Sequence, residues 1–244
     1  MQYEGFASVY DTLMAGVDYG AWADHIASML PVRASVLECA CGTGEISLRL
    51  ARKGFSVTAT DISAEMLSIA QEKQRRAGLA LSSLRFARMD MRSPELNKKV
   101  DAVIACCDGV NYLTSREDVK KFFSAAYRAL KPDGVLIFDI SSRYKLENVL
   151  GNNCFIDNGR EAAYLWQNEY DPETKLIRME LSFFKREGGL YRRIDETHIQ
   201  RAHSVRELGN WLEETGFTWE AKGFLKDSAP EKDEERIGFT AHKR

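Results

Sequence analysis

The segment Val36–Ser47 reads VLECACGTGEIS: an apolar run ends at Glu38–Cys39, small residues follow, and a helix opens near Glu45. Gly42 and Gly44 let the main chain approach a ligand where a Cβ would collide. The N–H groups at the start of the helix offer a positive pole to a carboxylate or phosphate. Glu38 has a different preference, since its carboxylate repels a pyrophosphate and can receive an ammonium group directly or through water. Ala40 stands where a first glycine would be, and Glu45 and Ile46 follow Gly44, so the G-x-G-x-x-G spacing of a dinucleotide site is missing. The loop therefore favours a ligand carrying an amino-acid moiety over a nicotinamide dinucleotide. A tight structural turn is the plainer alternative.

Further acids close the next apolar runs. Asp61 ends FSVTATD, where a carboxylate can accept both hydroxyls of a ribose or cap the helix that follows. Asp90 lies in FARMDMRS; it can take the N6 amine of an adenine while Ile62 and Met91 pack against the ring faces, or serve as a cap. Asp108 and Tyr112, in CCDGVNYL, follow a fourth run, with Asp108 able to orient an acceptor and Asn111 able to cap the turn. His198 and His203, in THIQRAHS, are candidate proton acceptors because an imidazole titrates near neutrality. Surface or structurally satisfied histidines are the competing reading.

Positioning these residues requires strands that end together. Ser35–Cys39, Phe55–Thr60, Leu84–Arg88, Asp101–Cys106 and Val135–Ile140 read as short strands. Helices over Glu45–Lys53, Ala64–Arg76 and from the Thr114/Glu117 capping box to Leu130 separate them, with Ser63 a plausible N-cap. Alternation of this kind predicts an α/β fold with a doubly wound, mostly parallel sheet. Lys131–Gly134 (KPDG) reads as a turn. After Ser142 the rhythm changes: Tyr164–Tyr170, Lys175–Lys185 and Leu190–His203 are long extended segments joined at DPET and EGG. They predict an inserted antiparallel β-meander. Arg192, Glu196, His198 and Gln200 alternate with Arg193, Asp195, Thr197, Arg201 and His203, so this last strand is polar on both faces, as at a wet sheet edge or, the reading preferred here, along a cleft. Ser204 and Glu207 form a second capping box, and strands near Thr218–Leu225 and Ile237–His242 close the chain. Glu231–Arg236 reads as a solvated charged loop.

Composition bounds the rest. The 244 residues suit one core with a small insertion, and 34 basic against 36 acidic side chains disfavour a nucleic-acid partner. No apolar run reaches the length that spans a bilayer, and the acidic N-terminus lacks the basic region of a signal peptide. Five cysteines at irregular spacing suit neither a disulfide framework nor a zinc site; they predict small buried side chains and a cytoplasmic location.

Together VLECACGTG, TATDIS, RMDM, DAVIACCDGVNYL and LKPDGVLIFDIS resemble the class I S-adenosylmethionine-dependent methyltransferases. The resemblance covers residues 1–142 and the C-terminal strands. It implies a Rossmann-like domain over 1–142 and 204–244, with lid helices in 1–30 and a substrate-capping insertion over 143–203. It implies S-adenosyl-L-methionine as cofactor: Glu38, Ala40, Gly42 and Gly44 for the methionine portion, Asp61 for ribose, Asp90 for adenine. Ile62, Met66, Met91 and Cys107 complete that lining. Ala40 departs from the glycine common there and is expected to need a conformation without strongly positive φ. Tyr3, Phe6 and Tyr10 share a helical stripe. With the meander, this stripe resembles small-molecule N-methyltransferases, including aminosugar N,N-dimethyltransferases, which puts Tyr3 and Tyr10 at the mouth of the site. The implied reaction is methyl transfer to a small amine or hydroxyl acceptor, with Asp108, Tyr10, His198 and His203 near the chemistry, no metal, and a monomer or homodimer. An RNA or protein acceptor would draw on a basic face from Arg75, Arg76, Arg85, Arg88 and Arg92. A non-catalytic cofactor-binding module is the third alternative.

Overall fold

Alternating sides of β1 (Ser35–Cys39) show how the core is built: Val36 packs into one apolar layer and Leu37 into the opposite one. A strand apolar on both faces belongs inside a sheet covered by helices on both sides. The computed structural model describes residues 7, 10, 11, 14, 16–159 and 162–243; Tyr3 and Phe6 lie outside the described residues.

The main sheet joins β1 to β2 (Ser56–Asp61), β3 (Leu84–Arg88), β4 (Val100–Ala105) and β5 (Leu130–Ser141), with β10 (Phe217–Gly223) and β11 (Arg236–Lys243) at one side. Its order is β10-β11-β5-β4-β1-β2-β3; β11 is antiparallel to both neighbours and the other pairings are parallel. On one face lie α1 (Tyr19–Ser28), α2 (Glu45–Arg52) and α3 (Ala64–Arg76), with Trp22, Ile26, Leu50 and Leu67 in that layer. On the other, α4 (Arg116–Ala129) and α5 (Val205–Thr215) bring Phe122, Phe123, Leu208 and Trp211 against Phe138 and Phe239. This is the doubly wound, mostly parallel α/β sheet expected from the sequence.

The helix starts are set by local chemistry. The Ser63 hydroxyl accepts the N–H of Met66, and the Ser204 hydroxyl accepts that of Glu207 while donating to the Glu207 carboxylate, so each serine caps its helix. The start of α4 differs: Ser115, one residue after Thr114, accepts the Asp118 N–H at 3.1 Å. KPDG does not end a strand; it is accommodated as an irregularity in β5, where the pairing with β4 passes from Val100↔Leu130 to Ala102↔Val135. Asp133 takes φ +59° there.

A second sheet, wholly antiparallel, runs β6-β7-β8-β9 through Cys154–Asn158, Ala162–Asp171, Leu176–Glu187 and Leu190–Arg201. β6 was not legible in the sequence because most of its residues are exposed and carry no alternating apolar signal. Phe183 of β8 shares an apolar cluster with Met66 of α3 and Tyr10, which brings this sheet over the C-terminal edge of the parallel strands.

Candidate functional site

Strands β1, β2, β3, β4 and β5 all end at that edge, and a cavity of about 620 Å³ opens between it and the second sheet. Parallel strands place ligand sites here because their following loops face outward together. Tyr10, Glu38, Ala40, Gly42, Asp61, Ile62, Met66, Asp90, Met91, Cys107, Asp108 and His198 all line it.

After β1 the chain turns through Ala40 (φ +53°), Gly42 (φ +53°) and Gly44 (φ +79°). Ala40 therefore does adopt the left-handed conformation that its Cβ was expected to preclude, at a cost of roughly 1–2 kcal/mol. A Cβ on Gly42 would meet nothing within 4 Å, whereas one on Gly44 would lie 2.9 Å from Phe86 and 3.1 Å from Ala70. Gly42 thus borders the open space. Gly44, placed with it on sequence grounds, instead lets α2 pack against α3 and β3 and is absent from the lining.

Asp61 braces the loop. Its Oδ2 accepts the Gly42 N–H and its Oδ1 the Ser63 N–H, each at 2.8 Å. Burial raises the Asp61 pKa, partly offset by those N–H donors. Each oxygen retains a lone pair for a further donor. Glu38 is more deeply buried and accepts the Ser47 hydroxyl. Burial pushes its carboxyl up to about 8, so it is protonated at neutral pH until a cation arrives. Asp90 is held differently: Arg92 reaches both its oxygens through Nε at 3.0 Å, keeps it below the ordinary range, and also meets Asp118 at 3.1 Å.

Beyond β4, Cys107 and Asp108 take φ +56° and +54° in succession. Their main-chain N–H groups donate to the Asp139 carboxylate at 2.8 and 3.1 Å. Arg236 closes the cluster, pairing with Asp139 and with Asp108 Oδ1 at 2.8 Å while its guanidinium lies 5.1 Å from the Trp22 ring centroid. Gln200 Nε2 donates to Asp108 Oδ2 at 2.8 Å. Asp139 is buried, which raises it to about 6 against the opposing pull of Arg236. Sequence reading missed Asp139 and Arg236. An acid inside the apolar run VLIFDI was a usable signal for the first; the second sat in what reads as a solvated charge run. Asn111 is no turn cap; its amide bridges Ser141 and the Arg201 carbonyl, fixing this loop between two sheets.

The histidines separate. His198 Nδ1 lies 3.4 Å from the Tyr112 hydroxyl, and burial lowers its pKa to about 4, leaving a neutral imidazole. His203 does not line the cavity. Its Nε2–H donates to the Leu113 carbonyl at 3.0 Å and its Nδ1 is 3.5 Å from Glu207, so it ties β9 to the loop behind the site. Tyr10 lines the cavity, and burial keeps its hydroxyl protonated. Among the described residues no cluster of His, Cys, Asp and Glu could hold a metal ion, and no helix is long and apolar enough to cross a membrane.

An amino-acid nucleoside fits this donor set: an open glycine at Gly42, a buried carboxylate with spare lone pairs at Asp61, and a second buried carboxyl at Glu38 that is neutral until a cation arrives.

Comparisons with known proteins agree. Residues 36–134 match the family described as "Methyltransferase domain". The chain is 40% identical over 245 residues to "Putative methyltransferase YqeM" of Bacillus subtilis (strain 168), covering 100% of this chain and 98% of that one. It is 29% identical over 139 residues to the dTDP-3-amino-3,4,6-trideoxy-alpha-D-glucopyranose N,N-dimethyltransferase of Streptomyces venezuelae, covering 54% of this chain and 56% of that protein. A crystal structure of an S-adenosylmethionine-dependent methyltransferase from Clostridium acetobutylicum ATCC 824 superposes with a TM-score of 0.89 at 37% identity, over 99% of this chain and 98% of the other. With the fold, the glycine loop and full-length likeness in accord, the chain belongs to the S-adenosylmethionine-dependent methyltransferases.

Proposed function

We propose that this enzyme methylates a small amine- or hydroxyl-bearing molecule that enters the cavity between the strand ends and the antiparallel sheet. The observation that carries this is the Asp108 carboxylate, lining that cavity next to Cys107, with Gln200 on one of its oxygens and Arg236 on the other.

In this reading Glu38 and the Ala40–Gly42 turn hold the methionine portion of S-adenosylmethionine, Asp61 the ribose, and Asp90 with Ile62, Met66 and Met91 the adenine. The cofactor supplies a methyl group on positively charged sulfur, activated for in-line displacement. What the chain supplies is alignment and exclusion of water. Asp108 and the neutral His198 accept hydrogen bonds from the acceptor's N–H or O–H and so aim its lone pair. Tyr10 and Tyr112 present hydroxyls to the same cavity.

The charge pattern supports a small acceptor over RNA. Arg75 and Arg76 both pair with Glu72, and Arg92 pairs with Asp90 and Asp118, so most of that basic stretch is matched by acids. Residues 143–203 act as the substrate-capping part, residues 1–142 and 204–244 as the cofactor domain, and the odd set of free cysteines suits the reducing cytoplasm. Calorimetry with S-adenosylhomocysteine and transfer of labelled methyl to a mixed pool of small amines and alcohols test the reading together. Cofactor binding with label appearing on a small molecule is the expected result; label only on RNA or protein overturns it.

A further inference from the structure

Asp61 ends β2 and Asp90 follows β3 by two residues; both line the cavity, but their partners differ in kind. The donors on Asp61 are the main-chain N–H groups of Gly42 and Ser63, which are fixed by the turns they belong to. The donors on Asp90 all come from one residue, Arg92. Its main-chain N–H and its Nε reach Asp90 Oδ1 at 2.9 and 3.0 Å, while Nε and Nη2 reach Oδ2 at 3.0 and 2.5 Å.

These contacts occupy most of what the carboxylate can accept, since it offers about four lone-pair directions. Two of the three donors belong to a guanidinium, and such charge-assisted bonds are roughly twice as strong as those of a neutral amine. The same contacts hold the Asp90 carboxyl below its ordinary range. A purine amine approaching Asp90 therefore meets a carboxylate already engaged.

The guanidinium has a second anion at hand. Asp118, in the first turn of α4, also lines the cavity, and Arg92 Nη1 already meets its Oδ1 at 3.1 Å. The Arg92 side chain is 39% exposed, so a shift toward Asp118 moves water more than packed neighbours.

We infer that Arg92 sets how strongly the site reads the 6-substituent of the cofactor's purine: it competes with the adenine N6 amine for Asp90, and adenine binds with the guanidinium moved onto Asp118. This rests on the placement of adenine at Asp90 given above. Paired, Asp90 and Arg92 present an acceptor and a donor side by side. An amine at position 6 calls for the carboxylate, and a carbonyl there calls for the guanidinium. The pair thus blunts the preference for adenine, and transfer of Arg92 to Asp118 restores it.

The test is calorimetry on the full chain with S-adenosylhomocysteine and S-inosylhomocysteine, whose ribose and amino-acid portions are identical and cancel in the ratio of inosyl to adenosyl Kd. Arg92→Met keeps an unbranched side chain and removes the guanidinium; the ratio is expected to rise at least fivefold. Asp118→Asn removes the second anion and leaves Arg92 on Asp90, so the ratio is expected to fall at least threefold. Opposite signs from two neighbouring substitutions distinguish this competition from a general loosening of the site. Asp90→Ala leaves the guanidinium alone and is expected to lower the ratio at least tenfold. An unchanged or lower ratio in Arg92→Met, with the fall in Asp90→Ala observed, overturns the competition and leaves adenine at Asp90. An unchanged ratio in Asp90→Ala overturns the adenine placement and this inference with it, as does failure of the parent to bind either nucleoside. A rise in Arg92→Met without a fall in Asp118→Asn overturns the move onto Asp118.

Discussion

Asp139 Oδ1 lies 2.8 Å from the main-chain nitrogen of Cys107, so a side chain buried in β5 fixes the backbone of the loop after β4. The same carboxylate takes the Asp108 N–H, and the two left-handed residues in succession are held by this one acceptor and its Arg236 counter-ion. Backbone strain of this kind persists only where surrounding contacts over-determine it.

Asp139→Asn leaves one acceptor oxygen for two N–H groups and a half-matched guanidinium. Breaking a buried pair from one side is strongly destabilising, and we expect a loss of about 3 kcal/mol in urea unfolding at neutral pH. A loss under about 1 kcal/mol would show that Asp108 and Arg236 hold the loop without it.

Glu38 makes stability depend on pH in a stated direction. Its folded pKa of about 8 is above the unfolded value near 4.5, so its contribution is complete below about pH 4.5 and is lost as pH rises toward 8. His198 acts oppositely between about pH 4 and 6.5, because its folded pKa is depressed. Comparing Glu38→Gln with the parent cancels that common part. The difference in melting temperature between the two should grow in favour of the variant from pH 5 to pH 8; parallel curves would remove the shift. Calorimetry at pH 7 in buffers of different ionisation enthalpy should also detect close to one proton released when the cofactor's ammonium group binds.

Asp61 and His203 should separate cleanly. Asp61→Ala removes the brace on Gly42 and two lone pairs facing the cavity, and is expected to weaken S-adenosylhomocysteine binding more than tenfold. His203→Ala is expected to cost about 2 kcal/mol of stability through the lost Leu113 bond and packing, and to leave that Kd within twofold. Equal effects on binding would place His203 back beside the ligand.

The glycine loop gives a third contrast. Ala40→Gly relieves the left-handed backbone and, after the added unfolded-chain entropy, should stabilise by about 0.5–1 kcal/mol. Gly44→Ala should destabilise by more than about 2 kcal/mol, since strain at φ +79° adds to collision with Phe86. Thermal melts of the two variants check both signs.

The parallel strands, their helices and the carboxylates at the ends of β1, β2 and β3 were legible because each depends on signals a few residues long. Apolar runs of five or six residues, a glycine pair and a capping serine are enough to place Glu38, Gly42, Asp61 and Asp90 at one edge. What no local pattern contains is which distant side chain completes a charge or covers a cavity. Arg236 reads as one more residue in EKDEER, yet it pairs with Asp139, 97 positions earlier, because β11 lies antiparallel beside β5. His198 and His203 look equivalent in THIQRAHS. The strand's two-residue period turns His198 into the cavity, and the exit from β9 turns His203 behind it. Ala40 could be left-handed only because the neighbouring loops and Asp61 hold the turn, a compensation supplied by tertiary contacts. Local propensity determined the elements and their ends; long-range pairing of buried charges and the register of the second sheet decided the site.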